Sequence, residues 1–109
     1  MSDLQIQPAE LAERLRSANP PHLLDVREPE EHELVALPGS TLIPVAQVGL
    51  RSVELEPWKD EEIVVYCHHG VRSMIAIAQL RYCGFKRLRN LSGGIDRWSI
   101  EVDSKFPRY

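Results

Sequence analysis

Ile63-Val64-Val65-Tyr66-Cys67-His68-His69-Gly70-Val71-Arg72-Ser73 changes character twice in one short span. It opens with apolar, mostly β-branched residues, which suit a strand buried on both faces of a parallel sheet. Gly70 then permits a tight turn. From Ser73 to Cys83 the chain carries Met74, Ile75, Ile77, Ala78, Leu80 and Tyr82, a helix too apolar all round to lie on the surface. A strand, a tight loop and a helix in this order predict the repeating unit of an α/β fold. Cys67 falls at the strand's carboxyl end, where open α/β sheets bind their ligands.

Downstream, Gly84 is placed as a left-handed helix cap, with Phe85 set to touch Leu80 as in a Schellman motif. Arg87 to Leu91 reads as a further strand, and Gly93-Gly94 opens a last helix that holds Trp98 and Ile100. Upstream, Leu4 and Ile6 alternate with glutamines as a short strand. Pro8 to Ala18 follows as a helix with a Leu11, Ala12, Leu15, Ala18 stripe and a Glu10–Arg14 pair on its far side. His22 to Val26 is a buried strand, the charged run from Arg27 leads into a short helix, and Thr41-Leu42-Ile43 is a strand stopped by Pro44. Val45 to Glu56 reads as a short helix plus loop. Alternation of this kind predicts an α/β domain with a mainly parallel central sheet of about five strands flanked by helices.

The loop's chemistry follows from its backbone. Amides of a tight turn and a helix N-terminus favour negative charge. Cys67 is therefore expected to be a nucleophile at the mouth of the loop, its pKa lowered from about 8.5. Arg72 is the expected cation for an anionic substrate, Gly70 lets the backbone approach the sulfur, and His68 and His69 line the entrance. An isolated cysteine is more often a small core hydrophobe, but this setting reverses that reading. Cys83 lies at the far end of the helix, about 16 Å away at 1.5 Å per residue. A disulfide needs Cα atoms within about 7 Å, so Cys83 is expected to be buried and inert. The same separation argues against a zinc site built from both cysteines and the histidine pair. Trp98 is expected in the core, His22 and His32 in structural or exposed positions, and Asp60 to Glu62 in solvent.

The chain's 109 residues fit one domain, and its composition, 43% hydrophobic and 27% charged, suits a packed core rather than a disordered segment. A net charge of −3 leaves no basic footprint for nucleic acid. No stretch approaches the roughly 20 apolar residues that span a membrane, and the first residues lack the pattern of a secretory signal, so the expected compartment is the cytoplasm. Two cysteines without a CxxC pair argue against a disulfide framework.

Cys67-His68-His69-Gly70-Val71-Arg72-Ser73 resembles the active-site loop of rhodanese-like sulfurtransferases. Leu24-Asp25-Val26-Arg27-Glu28, Leu37-Pro38-Gly39-Ser40, and Gly84-Phe85 through Leu91-Ser92-Gly93-Gly94-Ile95 with Trp98 are similar to that family's other elements, so the resemblance spans nearly the whole chain. It implies a stand-alone domain, residues 1–109, in which Cys67 takes a sulfane sulfur from a small-molecule donor such as thiosulfate. Cys67 would hold that sulfur as a persulfide and pass it to cyanide, to a thiol or to a protein acceptor. It further implies that His68, His69, Gly70, Val71, Arg72 and Ser73 bind the donor and the outer sulfur, that Asp25 and Arg27 support the site, and that no metal or organic cofactor takes part. The chain departs from the family pattern at Val35-Ala36-Leu37, where Gly-His-Ile is frequent, and at His32, which replaces an aromatic residue.

Two rival readings remain. A cysteine phosphatase or arsenate reductase uses a similar cradle, but with one residue more between cysteine and arginine than the four here, His68 to Val71. A persulfide-carrying or binding module serving a protein partner would keep the same loop.

Overall fold

The computed structural model describes residues 4–109; Met1 to Asp3, part of the stretch read for a secretory signal, lie outside them. Its elements are β1 (Gln5–Ile6), α1 (Pro8–Leu15), β2 (His22–Asp25), α2 (Pro29–Leu34), β3 (Thr41–Leu42), α3 (Val48–Arg51), β4 (Ile63–Tyr66), α4 (Val71–Tyr82), β5 (Leu88–Leu91) and α5 (Gly94–Glu101). The strands form one sheet in the order β1-β5-β4-β2-β3, and every pairing is parallel. The Val45 to Glu56 region is α3 flanked by 3-10 turns, Val45–Gln47 and Ser52–Trp58.

Side-chain alternation along the strands divides the core. Ile63 and Val65 of β4 face Ala76, Ile77 and Leu80 of α4 together with Val48, while Val64 and Tyr66 face Leu11 of α1 and Ile95 and Trp98 of α5. All of β4 is buried because it is central and covered on both faces. Its carboxyl end therefore has a rigid base.

Several local expectations shift. α1 stops at Leu15 rather than Ala18, since the amides of Arg16 and Ser17 turn back to Glu13 and Arg14 in tighter bonds of 3.1 and 3.2 Å. Arg14 pairs with Glu62 instead of Glu10, and Glu61 pairs with His22, so the acidic run is an ion-pair partner and not merely solvated. The Schellman cap at Gly84 forms as expected, with the Phe85 amide on the Leu80 carbonyl at 3.0 Å and the Gly84 amide on Arg81 at 3.0 Å. α4 begins at Val71, two residues before the expected start, because Gly70 at φ 105° completes the turn. Arg72 is thus in the helix's first turn. Among the described residues, no helix is long and apolar enough to cross a membrane.

Candidate active site

Cys67 follows β4 directly, and its Sγ is directed into the loop. It accepts the Gly70 N–H at 3.0 Å and the Ser73 N–H at 3.4 Å, and it lies 3.4 Å from the Ser73 hydroxyl. A hydroxyl carries one hydrogen. Directed at the Asn90 side-chain carbonyl, it leaves Ser73 Oγ to accept from a protonated thiol; turned toward the sulfur, it donates to a thiolate. Donors gathered on one atom suit an anion.

Position and exposure differ from expectation. Cys67 is 1% exposed and adjoins the α4 side of the core, so the sulfur lies at the floor of the loop, not its mouth. The N-terminus of α5 presses the loop down: Ile95 and Asp96 donate their amides to the Cys67 and His68 carbonyls at 2.9 and 3.1 Å. Gly94 permits this approach, since a Cβ there would meet the His68 carbonyl oxygen at 2.3 Å. Even so, the sulfur accepts two amides as well as adjoining that core, which separates it from a cysteine that only packs.

Arg72 also departs from expectation. Its guanidinium does not stand alone: Glu31 of α2 holds both Nη atoms in a fork, with bonds of 2.7 and 3.0 Å. That pairing lowers the Glu31 carboxyl to about 2 and raises the arginine further. Glu31 is fixed from other directions as well, accepting the Glu28 amide at 2.9 Å and the Tyr109 hydroxyl at 2.8 Å.

Beneath this rim, Asp25 and Arg27 form a fully buried pair. Arg27 Nε and Nη2 reach the two Asp25 oxygens at 2.9 and 2.7 Å, and two further donors go to the Val35 carbonyl and the Tyr109 hydroxyl. His32, the departure from the family pattern, sets Nδ1 2.8 Å from Asp25 and is structural in that sense. The acidic partner is therefore shared by two basic groups that join β2 to α2.

His68 stacks between His69 and Tyr109, each ring centroid 3.9 Å away. Burial, aided by His69, pulls the His68 pKa down and keeps that ring neutral near pH 7. The His69 side chain is largely in solvent, 3.6 Å from Asp96, and Val71 is also exposed, so both contribute backbone more than side chain. Ligand atoms of His68, His69 and Asp96 come within 4.8 Å of one another, the one such group among the described residues. The two imidazoles stack on each other, and Asp96 already holds Arg108 at 2.9 and 3.2 Å.

Glu31, Asn90, Gly94 and Tyr109 are the site residues that sequence reading missed. Asn90 is a buried polar residue of β5, next to the partly exposed Arg89. Tyr109 had no signal in the sequence.

Comparison with known proteins agrees with this geometry. Residues 7–101 match the rhodanese-like domain family. An Arabidopsis thaliana protein, "Rhodanese-like/PpiC domain-containing protein 12, chloroplastic", is 41% identical over 91 residues, covering 80% of this chain and 30% of its own length. A protein of Allochromatium vinosum named "Sulfurtransferase" is 34% identical, with 87% of each chain covered. The chain spans less than half the length of several other curated relatives it matches. The crystal structure of a rhodanese-related protein from Thermoplasma volcanium superposes with a TM-score of 0.79 at 32% identity, covering 90% of this chain and 92% of that one. A five-stranded parallel sheet, a cysteine cradled by amides after its central strand, and a match across most of the residues lead to one assignment: this chain belongs to the rhodanese-like domain family.

Proposed function

We propose that this chain is a sulfurtransferase that carries sulfane sulfur on Cys67. The observation that supports it best is the Gly70 and Ser73 amides converging on one sulfur. In the loading step the Cys67 thiolate attacks the outer sulfur of thiosulfate; a new S–S bond forms, the donor's S–S bond breaks, and sulfite leaves with the electron pair. In the second step cyanide or a thiolate attacks the outer sulfur, giving thiocyanate or a new persulfide and returning the Cys67 thiolate. Backbone donors from His68 to Ser73 hold the outer sulfur, Arg72 borders the entrance in its pair with Glu31, and Asp25 with Arg27 keeps the loop's base in place.

Intact mass after incubation with thiosulfate tests this reading. The expected result is a gain of one sulfur atom, removed by reductant and missing in Cys67→Ser. No gain with any sulfane donor would favour a binding module that serves a protein partner. The short spacing from Cys67 to Arg72 disfavours phosphoryl transfer, and Cys67-dependent release of phosphate from an aryl phosphate would overturn that.

A further inference from the structure

The cation that should greet an anionic donor is already neutralised by its own protein. We propose that Glu31, braced by Tyr109, sets the donor preference of this site toward thiol persulfides and away from thiosulfate; the inference rests on the sulfurtransferase reading above.

Both Nη atoms of Arg72 are used by Glu31. The carboxylate has little freedom to swing aside, because the Glu28 amide and the Tyr109 hydroxyl hold it at 2.9 and 2.8 Å. Tyr109 is in turn anchored by the Arg27 guanidinium at 2.8 Å and by its ring on His68. The other charged groups around the rim offer thiosulfate no substitute. Arg27 is bound to Asp25, Arg108 to Asp96, His68 is held neutral by burial, and His69 stands beside Asp96.

A thiosulfate dianion must therefore place its sulfonate head against an arginine that already has a carboxylate, with like charges adjacent. A thiol persulfide has no sulfonate head. Cys67 thiolate attacks its outer sulfur, the S–S bond to the carrier breaks, and the carrier leaves as a thiolate; one S–S bond is exchanged for another with no external oxidant or reductant. Only the amide cradle is needed for that step.

The test compares cysteine persulfide with thiosulfate as donors, with cyanide as acceptor, in the wild type, Glu31→Gln and Tyr109→Phe. The wild type should favour the persulfide in kcat/KM by about tenfold or more. Glu31→Gln should move that ratio toward thiosulfate by about tenfold, through a lower thiosulfate KM at similar kcat, and Tyr109→Phe should move it the same way by about two- to threefold. A wild type that favours thiosulfate, or a ratio unmoved in both variants, overturns the proposal. Should Glu31→Gln not fold, the milder Tyr109→Phe, which keeps the carboxylate, still decides it. Neither donor leaving sulfur on wild-type Cys67 would instead defeat the sulfurtransferase reading itself.

Discussion

Two cysteines flank α4, and the more exposed one has the less reactive setting. Cys83, just past the helix's C-terminal end, is half-buried rather than buried as expected, and its sulfur has the Ser52 hydroxyl 3.6 Å away. Cys67, just before the N-terminal end, is 1% exposed yet accepts two amides, with the Ser73 hydroxyl 3.4 Å away. A helix ends in unsatisfied carbonyls on one side and begins with unsatisfied amides on the other, so one end repels an anionic sulfur and the other holds it. Oriented dipoles, more than access to solvent, distinguish the two thiols.

The strongest way to break that contrast is to exchange the cysteines' fates. Cys67→Ser should reduce sulfur transfer by on the order of a thousandfold or more, while Cys83→Ser should stay within about twofold of wild type. Comparable losses in both would show that the dipoles do not discriminate. Next in size is the base of the reactive end. Asp25→Ala leaves Arg27 buried without its charge partner and should cost about 3–5 kcal/mol, read by urea unfolding. A cost below about 1 kcal/mol would mean that Tyr109 and Val35 suffice to hold the guanidinium.

The close approach of α5 is tested by a pair of glycines. Gly94→Ala meets the His68 and Cys67 carbonyl oxygens at 2.3 and 2.6 Å as well as a φ of +65°, whereas Gly39→Ala meets a φ of +80° in open space. Gly39→Ala should cost about 1–2 kcal/mol from backbone strain alone. Gly94→Ala should cost about 1–3 kcal/mol more and also slow sulfur loading, because the loop must lift. Equal costs would remove the role given to that contact. The smallest effect is in pH. The Arg72 bond holds Glu31 near 2 against an ordinary 4.5, so its stabilisation is complete above about pH 4.5 and fades as pH falls toward 2. Acid titration of stability should be flatter over that window in Glu31→Gln, and an unchanged slope would separate the ion pair from folding.

Most of the fold was readable because its signals are local. The β-branched run at Ile63 to Tyr66, the turn glycines and the apolar helix after Gly70 announce themselves within a few residues and return as β4, the loop and α4, but α4 is not enclosed all round as expected: Ile75 and Tyr82 are exposed, because the helix covers only one face of the sheet. Errors came where a distant partner outbid a near one. Arg14 has Glu10 one turn away yet pairs with Glu62, since β2 and β4 are adjacent in the sheet and bring α1's end to that loop.

From the sequence alone follow the central strand, the cysteine at its carboxyl end and the glycine that turns the chain back, because each depends on preferences of consecutive residues. Tertiary structure decided that the sulfur is covered, that Arg72 is tied to Glu31 across 41 residues, and that Tyr109 reaches Glu31 across 78. Such contacts depend on which strands lie side by side and which helix covers which face. Backbone periodicity is blind to that order, and the long-range packing that creates it also sets the charge a donor meets.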